Sequence, residues 1–386
     1  MIQIFPWYNK GMENTLKILG YFSRAETTRE YNGYFCSVGR VLCIVIIGSI
    51  CGLRSVKQIS NWSVHEKTRK FMAENFAIHT IPSYVQLLNV LKIIKPKSLN
   101  ECFMNWTQSL IPQTIKGLTV AIDGKTIRSV GKMKCHDESL HIVSAHVAEL
   151  GITIGQNAVE SKSNEIPAVQ KLMEMLDISG YLVVADALNC QKKTAEAIIK
   201  GGGDYLLSVK GNQEKLMENI EEHMLEPENR ENMDSASTIE TNRGRLEQRT
   251  AYITNDVTWL LGYTNWVSLS CVGMINRQVI RNDVMSSEWH YFISSRQLTA
   301  EQLLQYARGE WSVEVMHWLL DVHFDEDFCS IEDLTTQKNL NISRKVALNS
   351  IKTFKETKGL KSPLSKIMLD CLIDCDSILE VLNCAC

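Results

Sequence analysis

The sequence has no apolar run long enough to span a bilayer. Its longest, VLCIVIIGSICGL from Val41 to Leu53, is closed by Arg40 and Arg54 and falls short of the ~20 residues a membrane helix needs. It predicts a buried helix instead. The N-terminus has neither a basic start nor a small-residue cleavage site, so no secretory signal is expected. Paired Cys-x-x-Cys spacings are missing despite 12 cysteines, several of which (Cys43, Cys51, Cys102, Cys271) stand inside apolar runs. Reduced, mostly buried thiols in a cytoplasmic protein are the expectation. Strong net charge is also missing: the balance is -3, so any contact with nucleic acid must rest on local positive charge. No repeat or low-complexity segment is present. What remains is an ordinary globular composition, 45% hydrophobic and 22% charged over 386 residues, enough chain for two or three structural units.

One further absence decides a motif. Gly124-Lys125-Thr126 ends a P-loop pattern, but that pattern needs a glycine five positions before Gly124, where Thr119 stands. The phosphate-loop reading fails. An acid, Asp123, is left at the end of a buried-looking strand, with Lys125 and Arg128 crowded after it.

Residues 1–112 carry helical patterns, with Val56, Ile59 and Trp62 at spacings of three and a helix start at Pro82-Ser83. They predict a small all-helical domain. From Leu118 the pattern changes: LTVAID, HIVSAHVA and ITIGQNAVE are short β-rich runs, and a helix fits from Glu165 to Leu176. YLVVADAL is a strand that again ends in an acid, Asp186, and DYLLSVK is another. Strands alternating with helices predict a layered α/β domain with a mixed sheet over 113–386. Residues 214–240 hold nine acids against two bases and are expected to form a solvated helix and loop. Further strands over about 236–296 read as a β-rich insertion. From Thr299 the chain is expected to be helical.

Asp123 and Asp186 each close a strand of the predicted sheet, where α/β proteins gather ligands. Two close carboxylates repel, and a divalent cation with oxygen ligands relieves the repulsion. Either aspartate could equally cap the turn that follows it. Glu310, Glu314, His317 and Asp321 are spaced to share one helix face, beside an apolar stripe of Val313, Met316 and Leu320. That polar face is either solvated or aimed at the strand ends. Trp311 and Trp318 flank Glu314 and fit core packing or stacking on unpaired bases.

Seven motifs occur in order: AIDGKTIRS, HIVSA, GQNAVESKSNEIPAV, VVADALNCQKKTA, GGDYLLSVKGNQ, GRLEQR and WSVEVMHWLLDVHFDED. In this order they resemble the bacterial insertion-sequence transposases of the ISAs type, which include the H-repeat-associated proteins of the DDE superfamily. The resemblance runs over nearly the whole chain. It implies a ribonuclease-H-like core with flanking helices, and DNA cleavage at element ends followed by transfer of the freed 3′ hydroxyl to target DNA. It places the three acids on Asp123, Asp186 and Glu314, 63 and 128 residues apart, and implies two Mg²⁺ or Mn²⁺ ions held by them. A homodimer in a synaptic complex is implied in the same way. Two positions depart from the family pattern: Glu310 stands where histidine is usual and Val315 where asparagine is usual. They leave open a decayed or repurposed copy that binds DNA without catalysis.

Given that resemblance, Lys125 and Arg128 are expected along a passing DNA strand, with Lys162, Lys192, Lys210 and Arg308 as further candidates. Residues 343–366 hold Arg344, Lys345 and five more lysines against one acid, Glu356. That stripe is expected either to neutralise backbone phosphates or to be ordinary solvated lysines. No helix-turn-helix signal names a recognition helix in the front domain.

Overall fold

The computed structural model describes residues 18, 20–31, 36–112, 117–128, 140–159, 164–242, 245–260, 265–281 and 284–385. The apolar run at its front becomes α1 (Val38–Ile50), buried from Val41 onward on every side because the one polar side chain there, Ser49, is satisfied within the helix by donating to the Val45 carbonyl. Four helices follow: α2 (Val56–Ser63), α3 (Glu66–Phe76), α4 (Tyr84–Ile93) and α5 (Pro96–Leu110). The starts of α2 and α4 are fixed by reciprocal caps, Ser55 with Gln58 and Ser83 with Gln86. Pro82 therefore lies just outside α4, ahead of the capping serine, rather than in its first turn.

The sheet begins at β1 (Thr119–Ile127), followed by β2 (Leu140–Val147), β3 (Ile152–Val159), helix α6 (Glu165–Met175), β4 (Leu182–Ala185), helix α7 (Lys192–Lys200) and β5 (Asp204–Val209). Strands β1, β4 and β5 run parallel, and β2 and β3 are antiparallel on the outside of β1. Buried valines, leucines and alanines fill β4 because both faces are covered. This is the expected ribonuclease-H-like mixed sheet. After α8 (Glu214–Leu225) and α9 (Pro227–Glu231) come four antiparallel strands: β6 (Asp234–Asn242), β7 (Arg245–Thr254), β8 (Cys271–Arg281) and β9 (Val284–Ser294). Strand β9 pairs with β5, so the insertion extends the same sheet to nine strands in the order β3-β2-β1-β4-β5-β9-β8-β7-β6. The acidic segment expected as a helix and loop through residue 240 turns to strand at Asp234, where pairing with β7 overrides its charge.

The chain closes with α10 (Ala300–Gly309), α11 (Trp311–Phe324), α12 (Leu334–Thr357), α13 (Leu364–Ile373) and α14 (Cys375–Cys384). Helix α12 is the axis of the helical layer. It packs against α1, α4, α5 and β3, and Asn339 Nδ2 donates to the carbonyls of Leu91 and Ile94. The front helices and the sheet thus share one hydrophobic core. The cysteines among the described residues are free thiols, most of them buried. No helix among the described residues is long and apolar enough to cross a membrane.

Candidate active site

Strand β1 carries four buried residues, Thr119 to Ile122, and then Asp123. Its parallel partner β4 ends in register with it, Ile122 opposite Ala185, so Asp123 and Asp186 follow at the same level on adjacent strands. Asp186 is half-buried and its Oδ1 accepts from the backbone N (3.2 Å) and Nδ2 (3.0 Å) of Asn189. Burial, and beyond it the charges of Glu165 and Asp123, raise its carboxyl above the ordinary aspartate value, against the pull of the Asn189 bonds.

Helix α11 lies over β1 and β2 on the buried side chains of Val313, Met316 and Leu320. The polar residues beside that stripe are turned toward β1 for much of their length. His317 Nδ1 stands 3.3 Å from Asp123 Oδ2, and Asp321 pairs with Lys125. Glu314, in the first turn, is exposed in a cleft of about 510 Å³ that Asp186, Ser208, Lys210 and Glu310 also line. Asp123 is not part of that lining and faces His317 beside it. Glu310 occupies the joint between α10 and α11, accepting from Ser208 Oγ at 3.4 Å. Burial first, then Asp186, pushes its carboxyl up to about 7.

A buried chain of polar groups stands behind the two aspartates. Thr126 Oγ1 lies 2.8 Å from His141 Nδ1, and His141 Nε2 lies 2.8 Å from Glu165 Oε2. Asn189 Nδ2 donates to Glu165 Oε1 at 3.1 Å and to Asp186. Gly124 makes room for the pair: a Cβ there would meet His141 Nε2 at 2.4 Å and Glu165 Oε2 at 2.6 Å. His141 and Glu165 fall inside the motifs HIVSA and GQNAVESKSNEIPAV, but nothing in their sequence spacing marks them as a pair. Their burial on adjoining elements was the missing signal.

The cationic candidates divide sharply. Lys192 and Lys210 are exposed, Arg128 is exposed beside Asp327 at 3.6 Å, and Arg308 is half-exposed and paired with Glu240. Lys125 is corrected: its ammonium, 13% exposed, is spent on Asp321 and on Glu326 at 3.1 Å, so it does not face a passing strand. Burial pulls that ammonium down, but the carboxylates of Glu326, Asp321 and Asp327 outweigh it and leave it above the usual lysine value. Arg344 and Lys345 are corrected as well. They are 5% and 1% exposed; Arg344 donates to the Arg54 carbonyl, and Lys345 to Ser144 Oγ (2.7 Å) and Gln156 Oε1 (2.6 Å). The basic stripe is therefore interior over its first turn. Lys162 lies outside the described residues. Trp311 and Trp318 are 46% and 58% exposed, so neither is core. Arginines of β7 and β8 that sequence reading passed over, Arg249 and Arg277, lie over the Trp311 ring at 5.1 and 5.9 Å. Among the described residues no group of three or more His, Cys, Asp or Glu side chains is arranged to hold a metal ion.

Comparison with known proteins adds three findings. The family described as Transposase DDE domain matches residues 115–350, and the associated family matches residues 19–107. The "H repeat-associated putative transposase YhhI" of Escherichia coli (strain K12) is 35% identical over 75% of this chain and 79% of its own. The "Putative protein YbfL" of the same organism is 34% identical over 86% and 89% respectively. A solved synaptic complex of piggyBac transposase with hairpin DNA is similar at 10% identity and a TM-score of 0.46, covering 95% of this chain and 77% of that one.

Proposed function

Since the chain belongs to the DDE transposase family, we propose that it cuts DNA at the ends of an insertion sequence and transfers the freed 3′ hydroxyl to target DNA. Transposases of this family act on DNA and generally use divalent metal ions. The observation that supports the reading most is that Asp123 and Asp186 each directly follow the last paired residues, Ile122 and Ala185, of adjacent parallel strands, with Glu314 in the neighbouring cleft. The donor set suits a hard cation: the groups are carboxylates, and both Asp186 and Glu310 are held up by burial and by neighbouring acids. A divalent ion relieves that crowding. Asp123, Asp186 and Glu314 would hold two Mg²⁺ or Mn²⁺ ions, which supply Lewis-acid polarisation of the phosphoryl oxygens.

The chain's own groups do the rest. Asn189 fixes the rotamer of Asp186 through two donors to one oxygen. His317 orients Asp123. Lys210, on the cleft lining, reaches the phosphate that enters, and exposed Lys192, Arg128 and Arg308 extend the contact along the backbone. We assign this chemistry to 113–386 and give the helical 1–112 segment a part in recognising the element ends or in assembling a dimer that holds two of them.

A supercoiled-plasmid mobilisation assay with the native flanking DNA and Mg²⁺ or Mn²⁺ tests the proposal. Asp123→Ala, Asp186→Ala and Glu314→Gln should each abolish strand cleavage while DNA binding persists. Cleavage retained by all three variants sinks the assignment.

A further inference from the structure

The motif GRLEQR has a place in the structure that the three acids do not explain. On β7 the residues Arg245, Glu247 and Arg249 alternate onto one face. The register sets Arg245 directly opposite Arg281 and Arg249 directly opposite Arg277 on β8. Like charges placed opposite each other across an antiparallel pair are destabilising, and here it happens twice in five residues.

Nearby acids only partly neutralise the group. Glu247 serves three arginines: Arg245, Arg249 and, at 2.8 Å, Arg277. Arg308 from α10 joins them, pairing with Glu240. The five guanidiniums and the two carboxylates line a cleft of about 460 Å³ together with Trp311, leaving a surplus of three positive charges in a protein whose balance is -3. Glu288, opposite Arg277 on β9, stands 3.5 Å from His290 and is not on the cleft wall, although its charge also reaches Arg277. Arg249, 8% exposed, keeps a buried Nη1 that is 3.8 Å from Glu240 Oε2, an ion pair without a hydrogen bond, and Arg245, partly exposed, keeps a buried Nε with no acceptor. Buried donors left without a hydrogen bond are costly and mark a place for an anion. The cleft is continuous with the one that holds Asp186 and Glu314, because Arg249, Arg277, Arg308 and Trp311 line both.

We propose that this face of β7 and β8 is a phosphate-binding subsite for the DNA strand that leads away from the carboxylates. Two or three consecutive phosphates would match the surplus charge. Guanidiniums in pairs grip such oxygens with two donors each, while Glu247 and the Trp311 ring hold the arginines at their spacing. The contacts are to backbone, so they set register and carry no sequence preference. The assignment rests on the proposed transposase chemistry for its ligand, but not for its test.

DNA binding by the full-length protein, followed by fluorescence polarisation across a salt series, provides that test. Replacing Arg245 and Arg281 with glutamine (R245Q/R281Q) should flatten the slope of log affinity against log salt by about 1.4 to 1.8, whereas R245K/R281K should keep most of it. Inorganic pyrophosphate should raise the melting temperature of the wild type and not that of R245Q/R281Q. If the double variant does not fold, Arg281→Gln alone, at an exposed position, should flatten the slope by about 0.7 to 0.9. An unchanged slope in folded glutamine variants, or an equal pyrophosphate shift in wild type and variant, overturns the subsite. A wild type that never cleaves DNA yet shows the slope difference would keep the subsite and remove the transposase reading; cleavage without the slope difference would do the reverse.

Discussion

His317 Nδ1 stands 3.3 Å from Asp123 Oδ2, joining the first turns of α11 to the middle of β1. Its other ring nitrogen is buried without a hydrogen-bond partner, so the Asp123 contact is the polar interaction that this side chain makes. Groups that orient a metal-holding carboxylate typically matter 10- to 100-fold. His317→Leu, which fills the space but cannot donate, should lower strand cleavage by about that factor at fixed Mg²⁺. Raising the Mg²⁺ concentration should restore part of it. A metal titration of the nicking rate checks this, and an unchanged titration would reduce His317 to packing.

Gly124→Ala tests the room behind the aspartates. The added methyl would stand 2.4 Å from His141 Nε2 and 2.6 Å from Glu165 Oε2, and both side chains are almost wholly enclosed. Neither can swing away without breaking the chain that ends on Asp186. Overpacking of this kind costs about 1–3 kcal/mol. The urea midpoint should fall accordingly, and cleavage should fall further than stability alone explains, because Asn189 would lose its anchor on Glu165.

Much of this protein was legible in its sequence, and most of what was not has one physical cause. Asp186 at the end of β4, the buried run of α1 and the apolar stripe of α11 all follow from period and composition; Asp123 does not close its strand as expected, because β1 runs on to Ile127 along β2. The helix of α12 was expected, but its polar burial does not follow. Its residues Asn339, Lys345 and Asn349 look solvated, yet all are buried, because donors on them meet partners far along the chain: Leu91 and Ile94 carbonyls for Asn339, Ser144 and Gln156 for Lys345, the Thr153 carbonyl for Asn349. Hydropathy patterns report burial only where burial is apolar. The same blindness moved Lys125 to the surface on paper, since Asp321 and Glu326 are about 200 residues away.

Lys345→Met separates the two readings of the basic stripe. The DNA-binding salt slope should not change, because the amine meets Ser144 and Gln156 rather than phosphate. Stability should change with pH in a defined direction. Burial lowers the Lys345 amine from 10.5 to about 7, so between those values the unfolded chain holds more protons than the folded one. Wild-type stability should therefore rise with pH across that window, by at most about 5 kcal/mol, a rise that Lys345→Met lacks. Chemical denaturation of both proteins across that range measures it, and parallel curves would refute the burial argument.

Glu310 gives the opposite sign. Its carboxyl is raised from 4.5 to about 7, by burial first and then by Asp186. Between those values the folded protein holds a proton that the unfolded chain has released, so stability falls as pH rises through the window. The cost is absent below 4.5 and complete above about 7. Glu310→Gln removes the charge and keeps the shape. It should leave the metal-free protein unchanged at the acid end and stabilise it above pH 7, by up to about 3 kcal/mol. Mg²⁺ should narrow that gap, because a cation among Asp186, Glu314 and Glu310 makes the ionised carboxylate welcome. Melting temperatures of both proteins, in chelator and in Mg²⁺, at the two ends of the window decide the matter. A gap that Mg²⁺ leaves untouched would mean that Glu310 does not sense the ion, and that its neighbours hold the metal farther from the helix joint.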